Sequence, residues 1–185
     1  MRFSQRYTSF KSSYSLRAIA FIFLFLIVIA SYLGLWKQNR IIIDGPSYYT
    51  YLPATFIHHD LKLNFIDKDP GYYKDKIWYY KIENGNKLIK HPLGLSVALS
   101  PVFLIGHFTA GISGATQDGY SLPYQNAMTI GVWAYLCLGL FYLRKLLLCF
   151  FSDKITAFTL LTIVIGTNLL WYSTFEGLMP HAVSF

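Results

Sequence analysis

An all-α integral membrane protein is the fold this sequence predicts, with about three or four transmembrane helices, interfacial helices, and a small hairpin in the first outer loop. Three observations predict it. Only 14% of the 185 residues are charged, whereas soluble domains sit nearer a quarter. The apolar residues gather into long runs instead of alternating with polar ones. Outside the 37–90 loop, where they mix with Asp and Glu, the basic residues collect at the ends of those runs: Arg2, Arg6, Lys11 and Arg17 precede the first without an acid among them, and Arg144, Lys145 and Lys154 flank a later turn.

A net charge of +7 could suggest nucleic acid, but this placement is one of topology and headgroup contact, so no nucleic-acid partner is expected. Cys137 and Cys149 lie on one apolar segment. On a helix they stand roughly 18 Å apart at about 1.5 Å per residue, so they cannot pair and are expected as buried thiols.

Residues 1–17 form a basic leader, which places the N-terminus in the cytoplasm. Residues 18–36 form the first transmembrane helix, long enough to cross ~30 Å of hydrocarbon, with Trp36 as its far interfacial anchor. The bulky "SYLGLW" ending has no small-x-small cleavage pattern, so this span is an uncleaved anchor. Residues 37–92 are the first outer, periplasmic loop. Within it "SYYTYLPATFIHH" predicts a short interfacial helix broken or started at Pro53. "IWYYKIENGNKLIKHP" predicts a hairpin, with 77–82 going out, a turn at Asn84-Gly85, and 87–90 returning.

Residues 93–115 could span, but Pro92, Pro101, His107 and four glycines make a poor straight helix. If they span, the basic cluster at 144–154 falls outside. If they form an interfacial or re-entrant helix, it falls inside, as the positive-inside bias favours. A second span then covers 122–143, a basic cytoplasmic turn 144–154, and a third span 155–175. "EGLMPHAVSF" begins a second outer loop on the same side as Asp44. Another apolar segment starts near Phe185, and the expectation is an N-terminal fragment of a longer polytopic protein.

Asp44 is the sharpest candidate for chemistry. A partly desolvated carboxylate at the mouth of a span can act as a general base or hold a cation; the alternative is a solvated residue or a cap for the helix starting near Ser47. Lys87, Lys90 and His91 could grip a lipid phosphate with charge-assisted donors or snorkel to headgroups. Glu176 and His181 are the only carboxyl and imidazole side chains after Lys154 and fall at the outer end of the third span. His58, His59 and Asp60 are adjacent, and neighbouring helical side chains point about 100° apart, which does not suit one ion; no metal ligands are assigned. Asp118 is expected as a turn residue or cap. Tyr48, Tyr49, Tyr51, Tyr72, Tyr73, Tyr79 and Tyr80 suit an interfacial belt or stacking on sugar faces. No phosphate-cradling glycine loop, Ser-His-Asp pattern or CxxC metal site is present.

The order of these features resembles the opening of the GT-C superfamily of membrane glycosyltransferases, and more closely its protein-mannosyltransferase and lipid A aminoarabinose-transferase branch. The resemblance rests on "IIIDGPSYYTYLPA", on Lys90-His91-Pro92 with "LGLSVALSPVFLIGH", on "DGYSLPYQNAMTIGVWAYLCLGLFYLRKLLLCFFS", and on "GTNLLWYSTFEGLMPHAVSF". It implies a bacterial inner-membrane, multi-pass enzyme that moves a sugar from a polyprenyl-phosphate donor to an envelope lipid, glycan or protein acceptor. In that reading Asp44, Glu176 and His181 are catalytic, and Lys90, His91 and Lys87 bind the lipid phosphate. A divalent cation is the one cofactor left open. The sequence departs from the family's pattern in two places: Gly45 stands where a second acid often follows the first, and Glu176 and His181 stand where Asp is common. The rival from another class is a non-enzymatic polytopic protein, a transporter subunit or an envelope assembly factor.

Overall fold

The computed structural model describes residues 13–185. Arg2, Arg6 and Lys11 of the predicted leader lie outside the described residues. The chain is mostly helical, with one two-stranded hairpin among the described residues. Among the described residues, three helices are long and apolar enough to cross a membrane: α1 (Tyr14–Tyr32), α5 (Gly94–Ser113) and α6 (Leu122–Leu147).

Helix α1 begins earlier than predicted because its first turn is capped twice. The Ser13 hydroxyl accepts from the Leu16 amide, and the Asp153 carboxylate accepts from the amides of Tyr14 at 2.6 Å and Ser15 at 3.3 Å. These bonds satisfy amides that a helix start leaves without partners. Ala18, Ile22, Leu26 and Ala30 recur every fourth residue and are buried. Phe21, Leu24 and Val28 face outward, where a water-exposed helix would carry polar residues. The helix stops at Gly34, whose φ of +65° is the left-handed conformation favoured after a C-cap. Trp36 is not a free interfacial anchor. Its ring meets Trp133 edge-on at 5.5 Å, and its indole N–H donates to Ser31.

In the loop, α2 (Gly45–Tyr49) and α3 (Tyr51–Phe56) form a nearly continuous pair joined at Thr50. Pro53 has no N–H for the Tyr49 carbonyl, so the interruption falls one turn before the proline. A short α4 (Pro70–Tyr73) follows. The hairpin forms as predicted but is shorter: β1 (Tyr80–Lys81) pairs antiparallel with β2 (Lys87–Leu88), with Tyr80 opposite Leu88. Glu83 and Asn84 occupy the centre of its turn, closed by the Gly85 amide on the Ile82 carbonyl, and Gly85 (φ +81°) takes the left-handed place after it.

Residues 94–113 form one unbroken helix without a re-entrant turn. Pro101 cannot donate to the Val97 carbonyl, and the Ser100 hydroxyl does so instead at 2.8 Å. Helix α5 packs antiparallel on α6 at very close range. A methyl group added at Gly131 would come within 2.5 Å of Val102, and one at Gly106 within 3.0 Å of the Tyr124 backbone. Small residues permit such close approach between apolar helices.

The predicted third span, 155–175, is corrected. It divides into α7 (Asp153–Ile165) and α8 (Leu169–Thr174). The Thr167 hydroxyl donates to the Ile163 carbonyl and accepts from the Leu169 amide. A side chain inserted in the ladder next to Gly166 breaks the helix. Helix α7 packs along α1, and α6 packs against both α1 and α5. Cys149 is exposed, not buried, because it lies in the turn beyond α6; Cys137 is half-buried on that helix.

The bundle therefore has two distinct ends. One gathers Ser13, Ser15, Arg144 and Asp153: the Arg144 guanidinium donates to both serine hydroxyls at 3.0 and 2.7 Å. The other holds the first loop and the segment after α7. There the Arg40 amide donates to Gln125, and a methyl group added at Gly45 would touch Leu178 at 3.2 Å.

Candidate functional site

Asp44 sits at the second end, immediately before α2. It occupies the N-cap position, yet its side chain makes no capping bond and no other hydrogen bond among the described residues. The residue before it, Ile43, has φ of +56°. A β-branched residue there is a conformational outlier, held by the Gly45 amide donating to the Ile42 carbonyl at 2.9 Å. This strained turn fixes the backbone from which the carboxylate projects, with Pro46 stiffening the first turn of α2 behind it.

Asp44 lines a cavity of about 470 Å³ together with Ser47, the hairpin approach Ile77–Tyr80, and Lys90 and His91. That volume lies in the range of small-molecule sites. Lys90 is exposed and has no ion-pair partner among the described residues. The His91 ring lies over Tyr48 with centroids 4.4 Å apart, its backbone carbonyl accepts from the Tyr51 hydroxyl, and its buried Nδ1 has no partner. Two elements far apart in sequence thus bring one carboxylate, one ammonium and one imidazole to the same space, beside Trp78, Tyr79 and Tyr80. Such a site can take a proton from a hydroxyl, neutralise an anion, and hold a flat apolar face.

The other predicted site residues lie elsewhere. The Lys87 ammonium pairs with Asp67 at 2.6 Å and does not line this cavity. Glu176 lines a separate cavity of about 180 Å³, and one of its carboxylate oxygens accepts from the Trp171 indole at 2.8 Å. The His181 ring packs on Tyr172 with centroids 4.0 Å apart. Glu176 and His181, expected to complete the Asp44 site, do not line its cavity. They share its end of the bundle, but α8 turns them toward other neighbours.

Other titratable groups do structural work. The His58 ring stacks on Phe65 at 3.9 Å and meets the Tyr73 hydroxyl at 3.1 Å; burial holds its pKa below the usual imidazole value. The Asp60 carboxylate accepts from the amides of Lys62, Asn64 and Phe65. Asp118 is a turn residue as expected, accepting from the amides of Tyr120 and Ser121 and from the Tyr72 hydroxyl. Burial, then the Asp118 bond, pushes the Tyr72 hydroxyl pKa upward. Among the described residues no group of three or more His, Cys, Asp or Glu side chains is arranged to hold a metal ion.

Sequence reasoning missed Arg40. It is 6% exposed, one guanidinium nitrogen donates to the Thr174 carbonyl, and Nε has no partner. Burial lowers its pKa to about 10, still well above neutral pH. The signal was present in "RIII": a lone cation followed by three isoleucines leaves its neighbourhood apolar. No protein-family model, curated protein or solved structure matches the chain.

Proposed function

We propose that the chain is the N-terminal part of a polytopic glycosyltransferase of the bacterial inner membrane. It moves a sugar from a polyprenyl-phosphate donor to an envelope lipid, glycan or protein acceptor on the outer face. The observation that carries this reading is the convergence of Asp44, Lys90 and His91 on one aromatic-walled cavity.

In this mechanism the Asp44 carboxylate takes the proton of the acceptor hydroxyl while that oxygen bonds to the anomeric carbon of the sugar. The bond from that carbon to the phosphate oxygen breaks, and its electron pair stays on the polyprenyl phosphate. Lys90 meets that growing charge, with His91 beside it. Charge stabilisation of this kind is usually the larger part of catalysis. Trp78, Tyr79 and Tyr80 offer faces for the sugar ring. The Arg144 and Asp153 end is cytoplasmic, consistent with the positive-inside bias.

In the intact protein, Asp44→Asn abolishes transfer from a polyprenyl-phosphate sugar while membrane abundance stays normal. Unchanged transfer removes Asp44 from the mechanism. Reporter fusions at residues 148 and 178 fall inside and outside respectively; the reverse arrangement sinks the assignment of faces. The non-enzymatic reading is favoured by one observation, that Glu176 and His181 stay out of the Asp44 cavity. It takes the lead if Asp44→Asn is silent.

A further inference from the structure

Arg40 and Glu176 line the same small cavity, and neither neutralises the other. The Arg40 guanidinium is more than nine-tenths buried, keeps Nε without a partner, and has no carboxylate within ion-pair distance among the described residues. An arginine does not shed its proton in a protein, and a buried cation without a counter-charge is costly. An anion is therefore the missing partner. Glu176 is half-buried, and an ionised carboxylate can accept about four hydrogen bonds, of which Trp171 supplies the one seen. One positive and one negative side chain thus line the cavity, and Glu176 keeps hydrogen-bonding capacity to spare.

Its rim is apolar. Ile42, Ile43 and Trp171 line it and remain 38%, 46% and 51% exposed, and Phe175 tilts against Trp171 with centroids 4.5 Å apart. This rim lies just beyond α1 and α7, at the level where tryptophan marks a membrane–water boundary. A volume of about 180 Å³ equals roughly six waters at about 30 Å³ each, which suits a compact headgroup.

We propose that this cavity binds a phospholipid whose headgroup carries both a phosphate and a primary ammonium, as phosphatidylethanolamine does. Arg40 takes the phosphate, Glu176 the ammonium, and the acyl chains leave over Ile42, Ile43 and Trp171. The inference stands apart from the transfer reading, because Asp44, Lys90 and His91 do not line this cavity.

The test is native mass spectrometry of the purified full chain in detergent, loaded from mixed micelles of phosphatidylethanolamine and phosphatidylglycerol, with soluble O-phosphoethanolamine as a third arm. Wild type is expected to retain phosphatidylethanolamine over phosphatidylglycerol by about tenfold, the order set by one hydrogen bond to a charged group. Arg40→Gln loses both lipids. Glu176→Gln retains both equally, since only the ammonium contact is gone. Equal retention by wild type, or an unchanged preference in Glu176→Gln, overturns the proposal. Should Arg40→Gln fail to fold, Glu176→Gln decides alone. Retention of O-phosphoethanolamine as strong as that of the lipid removes the membrane as its source.

Discussion

Asp44 and Lys90 line one cavity although the first stands at the head of α2 and the second follows the hairpin. The Asp44 carboxylate is at a capping position and caps nothing. A carboxylate with no structural bond to lose can be removed without unfolding the chain. Asp44→Ala is therefore expected to change stability by less than ~0.5 kcal/mol, where loss of a working N-cap costs ~0.5–2 kcal/mol. Thermal melts in detergent check this, and a loss in the capping range would return Asp44 to an ordinary structural role.

Ile43 holds its positive φ against the preference of its own side chain. The left-handed region costs a residue with a Cβ roughly 1–2 kcal/mol, and glycine loses about 0.5–1 kcal/mol through extra backbone freedom. Ile43→Gly is thus expected to leave the melting temperature unchanged or raised. A clear fall would mean that the isoleucine side chain contributes packing that outweighs the strain.

Gly131 faces Val102 with no room for a methyl group. Gly131→Ala is expected to destabilise the α5–α6 pair by about 1–3 kcal/mol, and Val102→Ala in the same chain restores at least half. Gly106 meets the Tyr124 backbone instead, so shortening the Tyr124 side chain does not rescue Gly106→Ala. Rescue of both by side-chain truncation would contradict the packing described.

At the opposite end, Asp153 ties α7 to the first turn of α1. Burial pushes its pKa up, but hydrogen bonds from the Ser15 hydroxyl, the amides of Tyr14 and Ser15, and the Ser13 hydroxyl outweigh it, and the net shift is downward. A carboxyl with a depressed folded pKa stabilises fully above its unfolded value of ~3.9 and loses that contribution as pH falls through the folded value. Asp153→Asn should melt below wild type at pH 7, and the gap should be smaller at pH 3. A gap of equal size at both pH values would show that the charge is irrelevant there.

Much of the fold could be read from local chemistry. The apolar run after the basic leader predicts α1, and Asn84-Gly85 between two short runs predicts the hairpin, because each signal acts within a few residues. The meeting of Asp44 with Lys90 and His91 at one cavity was suggested only by the family resemblance, because residues so far apart in the chain leave no local signal of their contact. The break at Gly166 was harder to see. Mean hydropathy does not register a threonine hydroxyl entering the ladder, and 155–175 looked continuous.

By itself the sequence determined the mostly helical class with long apolar helices, the hairpin, and the asymmetry of charge between the two ends. These follow from hydropathy and turn preferences that need no distant partner. Tertiary structure alone decided that Glu176 lines Arg40's cavity and not that of Asp44, that Lys87 is held by Asp67, and that Arg40 is buried without a counter-charge among the described residues. Those outcomes depend on which helix faces meet, and α8 takes its direction from the break at Thr167 and from packing on α6.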